Sequence, residues 1–203
     1  MSARAEILAR VRSALADVTE VPPVPPAPRR TPVEDVVEHF AERVADYRAT
    51  VVRSTPQDLA SAVAAALPDG ASVVVPADLA VSVPGATVDD GTLTAGELDR
   101  IDAVVTLAAV GIAETGTIVL DHGPGQGRRA ITLVPDTHIC IVTAEQVVLD
   151  VPDAVGLLGP SVRQGRPLTW ISGPSATSDI ELSRVEGVHG PRNLHVIIVG
   201  PAA

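Results

Sequence analysis

Residues 173–192 crowd hydroxyls, acids, an imidazole and a guanidinium between turn-forming residues. They read Gly173-Pro174-Ser175-Ala176-Thr177-Ser178-Asp179-Ile180-Glu181, then Gly187-Val188-His189-Gly190-Pro191-Arg192. Strand-like segments flank this stretch at residues 168–172 and 194–199. Polar groups this dense between buried strands need internal partners or a ligand, because a buried unpaired polar group costs roughly 1–3 kcal/mol. His189 and Asp179 are of the types that move protons. Gly173, Ser175, Thr177 and Arg192 are of the types that hold a small ligand. The segment expected to meet this stretch in space is 111–117.

In that segment Glu114-Thr115-Gly116-Thr117 follows an apolar run. Gly116 admits backbone conformations closed to other residues, or a close ligand. A carboxylate at 114 in so apolar a setting is expected to be desolvated, with a raised pKa suited to general acid/base work; the alternative is a Glu in solvent at a strand end, or one paired with an arginine. Gly123-Pro124-Gly125-Gln126-Gly127 lacks the spacing of a dinucleotide-binding loop and reads as a mobile hairpin or lid. Arg128 and Arg129 follow, and a guanidinium fork suits a carboxylate or phosphate. His122 and His39 read as surface residues and His138 as a strand histidine. Asp179 and Glu181 share a face only if their segment is extended; Glu181 also fits a capping box. The spacing of His189 with these acids fits no standard zinc signature.

Composition removes other chemistries. The net charge of −10 opposes nucleic-acid binding, which needs a basic surface, and one Phe, one Tyr and one Trp offer no stacking platform. All fifteen basic residues are arginine. Without lysine there is no Schiff-base lysine and no Walker-type phosphate loop. The single Cys140 can neither close an internal disulfide nor hold an iron–sulfur cluster, and it reads as a buried small hydrophobe in an aliphatic strand. No apolar leader or stretch near 18 apolar residues is visible, so a cytoplasmic location without a membrane span is expected.

The elements that must position these groups follow from periodicity. Ile7, Leu8, Val11, Leu15 and Val18 recur at helical spacing, predicting a helix over 2–18. The Pro-rich run 21–28 cannot continue it and favours an extended spacer. Residues 1–30 therefore read as a helix and linker, and 31–203 as the main domain. The helix either folds back on its own domain or forms an arm for a partner. A second helix is expected from Pro32 to about Arg48, with Pro at the first helical position. Strands at 50–53, 71–75, 102–106, 117–120, 138–142, 168–172 and 194–199 alternate with helices, beginning with an Ala-rich one that ends near Leu67. With 46% apolar residues, this alternation predicts an α/β fold with a largely parallel sheet.

The segments 113–117, 128–129, Pro135 with His138, 173–181 and 187–191 together resemble the LUD-domain family, of the lactate utilization protein C type. The likeness is specific from about Val104 to Val199. It implies a NagB/RpiA/CoA-transferase-like α/β fold and a part in oxidising L-lactate to pyruvate, beside iron–sulfur oxidoreductase partner subunits. Lacking cluster cysteines, this chain would be the cluster-free subunit, with no cofactor of its own. Ser178 stands where the family commonly has a small apolar residue. In this reading Glu114, His189 and Asp179 handle protons. Thr115, Gly116, Thr117, Arg128, Arg129, Gly173, Ser175, Thr177 and Arg192 hold a small anion. Other readings are a non-catalytic assembly module using the N-terminal helix, and a sugar-phosphate or acyl-CoA enzyme of the same fold.

Overall fold

The computed structural model describes residues 2–18, 23, 32–177, 185–186 and 189–201. It divides into two compact units, Met1–Pro32 and Val33–Ala203. The first contains α1 (Ala3–Ala14), capped by the Ser2 hydroxyl, which accepts from the Ala5 amide. Ile7, Leu8, Val11, Leu15 and Val18 are all exposed there. The expected Pro-rich spacer lies almost entirely outside the described residues.

The second unit opens with α2 (Val36–Asp46). Asp35, not Pro32, starts it: its carboxylate accepts from the Val37 and Glu38 amides, both at 2.9 Å. Two otherwise orphaned helical donors are thereby satisfied, which a proline cannot do. There follow β1 (Thr50–Ser54), α3 (Leu59–Ala66), β2 (Val73–Pro76), β3 (Thr87–Asp89), α4 (Ala95–Leu98), β4 (Ala103–Leu107), β5 (Val110–Ile112) and β6 (Thr117–Leu120). Then come α5 (Arg129–Leu133), β7 (Thr137–Thr143), a 3-10 turn, β8 (Val147–Val148), α6 (Val151–Arg163), β9 (Thr169–Ile171), β10 (Ala176–Thr177), β11 (Val185–Glu186) and β12 (Asn193–Val199). The short β3 and the box-capped α4 fall between the expected strands at 71–75 and 102–106.

Six strands form one parallel sheet in the order β1-β12-β7-β4-β2-β3. The α/β fold with a parallel sheet expected from the alternation is present. Its central strands are buried on both faces, and side chains alternate between two cores. Val105, Ile139, Ile141 and Ile197 pack with Val63 of α3 on one face. Cys140, Val142, Val196 and Ile198 pack with Phe40 and Val44 of α2 on the other. That second face also meets Ile118 and Leu120 of a smaller sheet, ordered β8-β5-β6-β9. α6 covers the far side of the smaller sheet through Ala154 and Leu158. Gly111 lets the Phe40 ring lie on β5, since a Cβ there would meet its Cζ at 3.0 Å. Among the described residues no helix is long and apolar enough to cross a membrane.

Candidate functional site

A cleft of about 210 Å³ opens where the smaller sheet's edge strand β9 meets the amino ends of β7 and β12. Doubly wound folds more often bind ligands at the carboxyl ends of the strands, so the position of this cleft was not implied by the alternation. Three polar side chains line it that are almost fully buried: Thr132, His138 and Thr169, with 1%, 1% and 7% of their surfaces exposed. Trp170, Gly173, Pro174 and the exposed His189 also line it.

Each polar side chain is placed by the fold. His138 is the second residue of β7 and faces the interlayer, on the same side as Cys140. Its Nε2 shares a 2.8 Å hydrogen bond with Thr106 Oγ1 on the neighbouring β4. Burial holds the imidazole down to a pKa of about 4, so it is neutral near pH 7. Thr169 shares a 2.8 Å hydrogen bond with His122 Nε2. His122 itself adopts φ +53°, and its Nδ1 lies 2.9 Å from the Gly127 carbonyl. His122 therefore does not behave as a surface residue: the sequence carries no local sign of this, because Thr169 lies 47 positions away.

The loop that carries His122 is a packed turn, not a lid. Gln126 is buried, and its Oε1 accepts from the Asp121 and His122 amides at 2.8 and 3.1 Å. Its Nε2 donates to Asp121 Oδ1 at 2.9 Å. Ser161 donates to Asp121 Oδ2 at 2.5 Å, and Arg166 lies 3.1 Å from the same oxygen. Although burial opposes ionisation, the bonds from Ser161, the Gly123 amide and Gln126, with Arg166, hold the Asp121 carboxyl below its ordinary value.

The residues expected to act together are only partly assembled. His189, Gly173 and Ser175 do line the cleft; the His189 amide donates to Ser175 Oγ at 3.0 Å, and the Ser175 amide to the Pro191 carbonyl at 2.8 Å. Thr115 and Thr117 reach it indirectly: Thr115 donates to Thr117 at 2.8 Å, and Thr117 shares a 2.8 Å bond with Ser172, which lines the cleft. Gly116 serves close approach: at φ +60°, a Cβ would meet the Arg43 main-chain carbon at 2.7 Å.

Glu114 is exposed rather than desolvated, in the β5–β6 turn, with its amide bonded to the Leu149 carbonyl at 3.0 Å. It is not among the residues lining the cleft that His189 lines. Arg128 is already taken by Asp89 through two bonds of 2.8 and 3.0 Å. Arg129 is exposed at the start of α5. Arg192 borders a separate, acidic hollow of about 410 Å³ and donates to Asp136 at 2.5 Å. Thr177 lies in β10, with only its main chain described, and Asp179 and Glu181 lie outside the described residues. Among the described residues no group of three or more His, Cys, Asp or Glu is placed to hold a metal ion.

A hybrid α/β molecule of two stacked sheets with a polar, largely buried interlayer cleft is the class that fold and site define. A family description, LUD domain, matches residues 91–199. The chain is 47% identical to a Lactate utilization protein C from Deinococcus radiodurans, over 98% of this chain and 96% of that protein. It is 30% identical to a Lactate utilization protein C from Bacillus subtilis, over 55% of this chain and 48% of that one. The 1.70 Å crystal structure of a DUF162 family protein from Deinococcus radiodurans superposes with a TM-score of 0.74 at 43% identity, covering 83% of this chain and 100% of that one. The chain belongs to the LUD-domain family and is of the lactate utilization protein C type.

Proposed function

We propose that this chain serves lactate utilization as the cluster-free subunit of an assembly that oxidises L-lactate to pyruvate, with a small hydroxy acid or related anion held in the interlayer cleft. The name of the full-length relative supports the general role. The observation that carries the ligand reading is the convergence of buried Thr132, His138 and Thr169 on one cleft, where an apolar core would be expected. None of the cleft's lining residues among the described ones is an arginine, and these offer neutral donors and acceptors, with His189 beside them. This differs from an arginine-fork mode: Arg128 and Arg192 have carboxylate partners of their own. The two electrons and two protons released by lactate oxidation pass to iron–sulfur partner subunits and solvent. Reconstitution tests the reading: lactate-dependent electron transfer is measured with partner subunits, with and without this chain. Equal rates would overturn it.

A second reading, a non-catalytic assembly module, is favoured by the apolar stripe that α1 exposes. It expects deletion of residues 1–30 to abolish association, while His138→Gln leaves activity of the assembled complex intact.

A further inference from the structure

The pairing of His122 with Thr169 fixes where protons sit. A carbonyl oxygen only accepts, so the 2.9 Å contact between His122 Nδ1 and Gly127 O places the proton on Nδ1. In the neutral ring Nε2 is then a bare acceptor. The Thr169 hydroxyl, 2.8 Å away, must donate to it. Its hydrogen is committed, and Thr169 Oγ1 has only lone pairs left to offer.

The fold holds this arrangement firmly. Gln126 clamps the amide of His122, and β9 is registered against β6 with Thr169 opposite Leu120. Thr169 is 7% exposed and lines the cleft, so little of its surface is open to bulk solvent.

We infer that Thr169, oriented by His122, is the specificity-determining acceptor of the cleft, selecting a ligand that presents an O–H or N–H over the analogue that presents a carbonyl there. A 2-hydroxy acid donates its hydroxyl to Thr169 Oγ1. The corresponding 2-oxo acid sets a carbonyl oxygen against the same lone pairs and leaves both acceptors unpaired. Sites of this kind discriminate well because the wrong ligand leaves a buried polar group without a partner. His122 is a positioning residue: it does not touch the ligand but decides which way the threonine hydroxyl points. The choice of a small hydroxy acid rests on the functional reading above, whereas the acceptor character of Thr169 rests on the hydrogen-bond geometry around a neutral His122.

Trp170 is the chain's single tryptophan and lines the cleft, so its fluorescence reports binding. Full-length protein is titrated with L-lactate and with pyruvate, as wild type, Thr169→Val, Thr169→Ser and His122→Asn. Asparagine suits the positive φ at 122 but is too short to reach Thr169. Wild type is expected to bind lactate about tenfold more tightly than pyruvate, the scale of one hydrogen bond. Thr169→Val removes this preference and Thr169→Ser restores it. His122→Asn frees the hydroxyl to donate, so the preference shifts toward pyruvate; a merely structural role would weaken both ligands alike. Equal binding of the two acids by wild type, or an unchanged ratio in Thr169→Val, would overturn this inference and leave the functional reading standing. If neither acid perturbs Trp170, the functional reading falls and the hydroxy-acid selection with it. The tautomer has its own readout: a long-range ¹H–¹⁵N spectrum that places the His122 proton on Nε2 overturns the acceptor role whatever the ligand.

Discussion

Arg128 grips Asp89 by two parallel bonds, Nε to Oδ2 at 2.8 Å and Nη2 to Oδ1 at 3.0 Å, and its Nη2 also reaches the Leu93 carbonyl at 2.7 Å. The Asp89 side chain is only 4% exposed, against 35% for Arg128. The pair ties the start of α5 to β3 at the sheet edge. The carboxylate and desolvation act in opposite senses on the guanidinium, and the Asp89 bond prevails, raising its pKa.

Arg128→Met is therefore expected to act on stability. Removing one partner of a buried pair costs roughly 3–5 kcal/mol; partial solvation of this one reduces the expected loss to about 2 kcal/mol. Denaturant unfolding measures it. A loss of lactate binding with unchanged stability would instead assign Arg128 to the ligand.

Gly116 and Gly173 both abut the end of α2. At φ +60° and +109°, added Cβ atoms would meet the Arg43 main-chain carbon and Tyr47 Cβ, each at 2.7 Å. Backbone atoms and a Cβ fixed to the backbone cannot yield cheaply, and the positive φ adds strain. Gly116→Ala and Gly173→Ala should each destabilise by about 2 kcal/mol or more, seen as a fall in Tm of several degrees. Gly70→Ala, at φ +70° with open space around its Cβ, carries strain alone and should cost less.

The buried imidazole of His138 sets a pH dependence. Its pKa falls from an ordinary 6.5 to about 4, through desolvation. Between those values the unfolded chain binds a proton that the folded chain refuses, so stability rises with pH across this window. The contribution is complete above about pH 6.5 and is lost as pH falls toward 4, amounting to about 3 kcal/mol. His195, partly buried, is displaced the same way by desolvation and steepens the same slope. Unfolding free energies at pH 7.5 and 5 should differ clearly less in His138→Gln than in wild type, whatever the absolute stability of the variant.

Cys140 is fully buried, and desolvation pushes its thiol up to about 12. Only the thiolate reacts with electrophiles. A thiol reagent at pH 8 should leave the native protein unlabelled and modify Cys140 only as fast as the chain unfolds. Rapid stoichiometric labelling of folded protein would contradict its placement in the interlayer core.

Local pattern was enough for much of this protein. Alternating aliphatic runs such as 137–143 and 193–199 identify strands buried on both faces, because a residue's neighbours along a strand sit on opposite sides wherever the strand lies. The parallel sheet, the family and the burial of Cys140 follow from such short-range information. The motif at 113–117 was also visible, but its meaning was not. Its threonines form a hydroxyl chain to Ser172, its glycine admits the end of α2, and its acid stands in water.

What tertiary structure decided was partnership. Asp89 reaches Arg128 from 39 positions away, Asp136 reaches Arg192 from 56, and Thr169 reaches His122 from 47. Type and spacing reveal that an arginine or histidine can bind something; they do not reveal which distant group the sheet order brings within hydrogen-bond reach. Stacking the smaller sheet on the amino ends of β7 and β12 made a cleft from residues that read as structural, His138 and Thr169, and left two eye-catching arginines bound to carboxylates. Burial and pairing are properties of the folded neighbourhood, and that neighbourhood exists only once strands remote in the chain lie side by side.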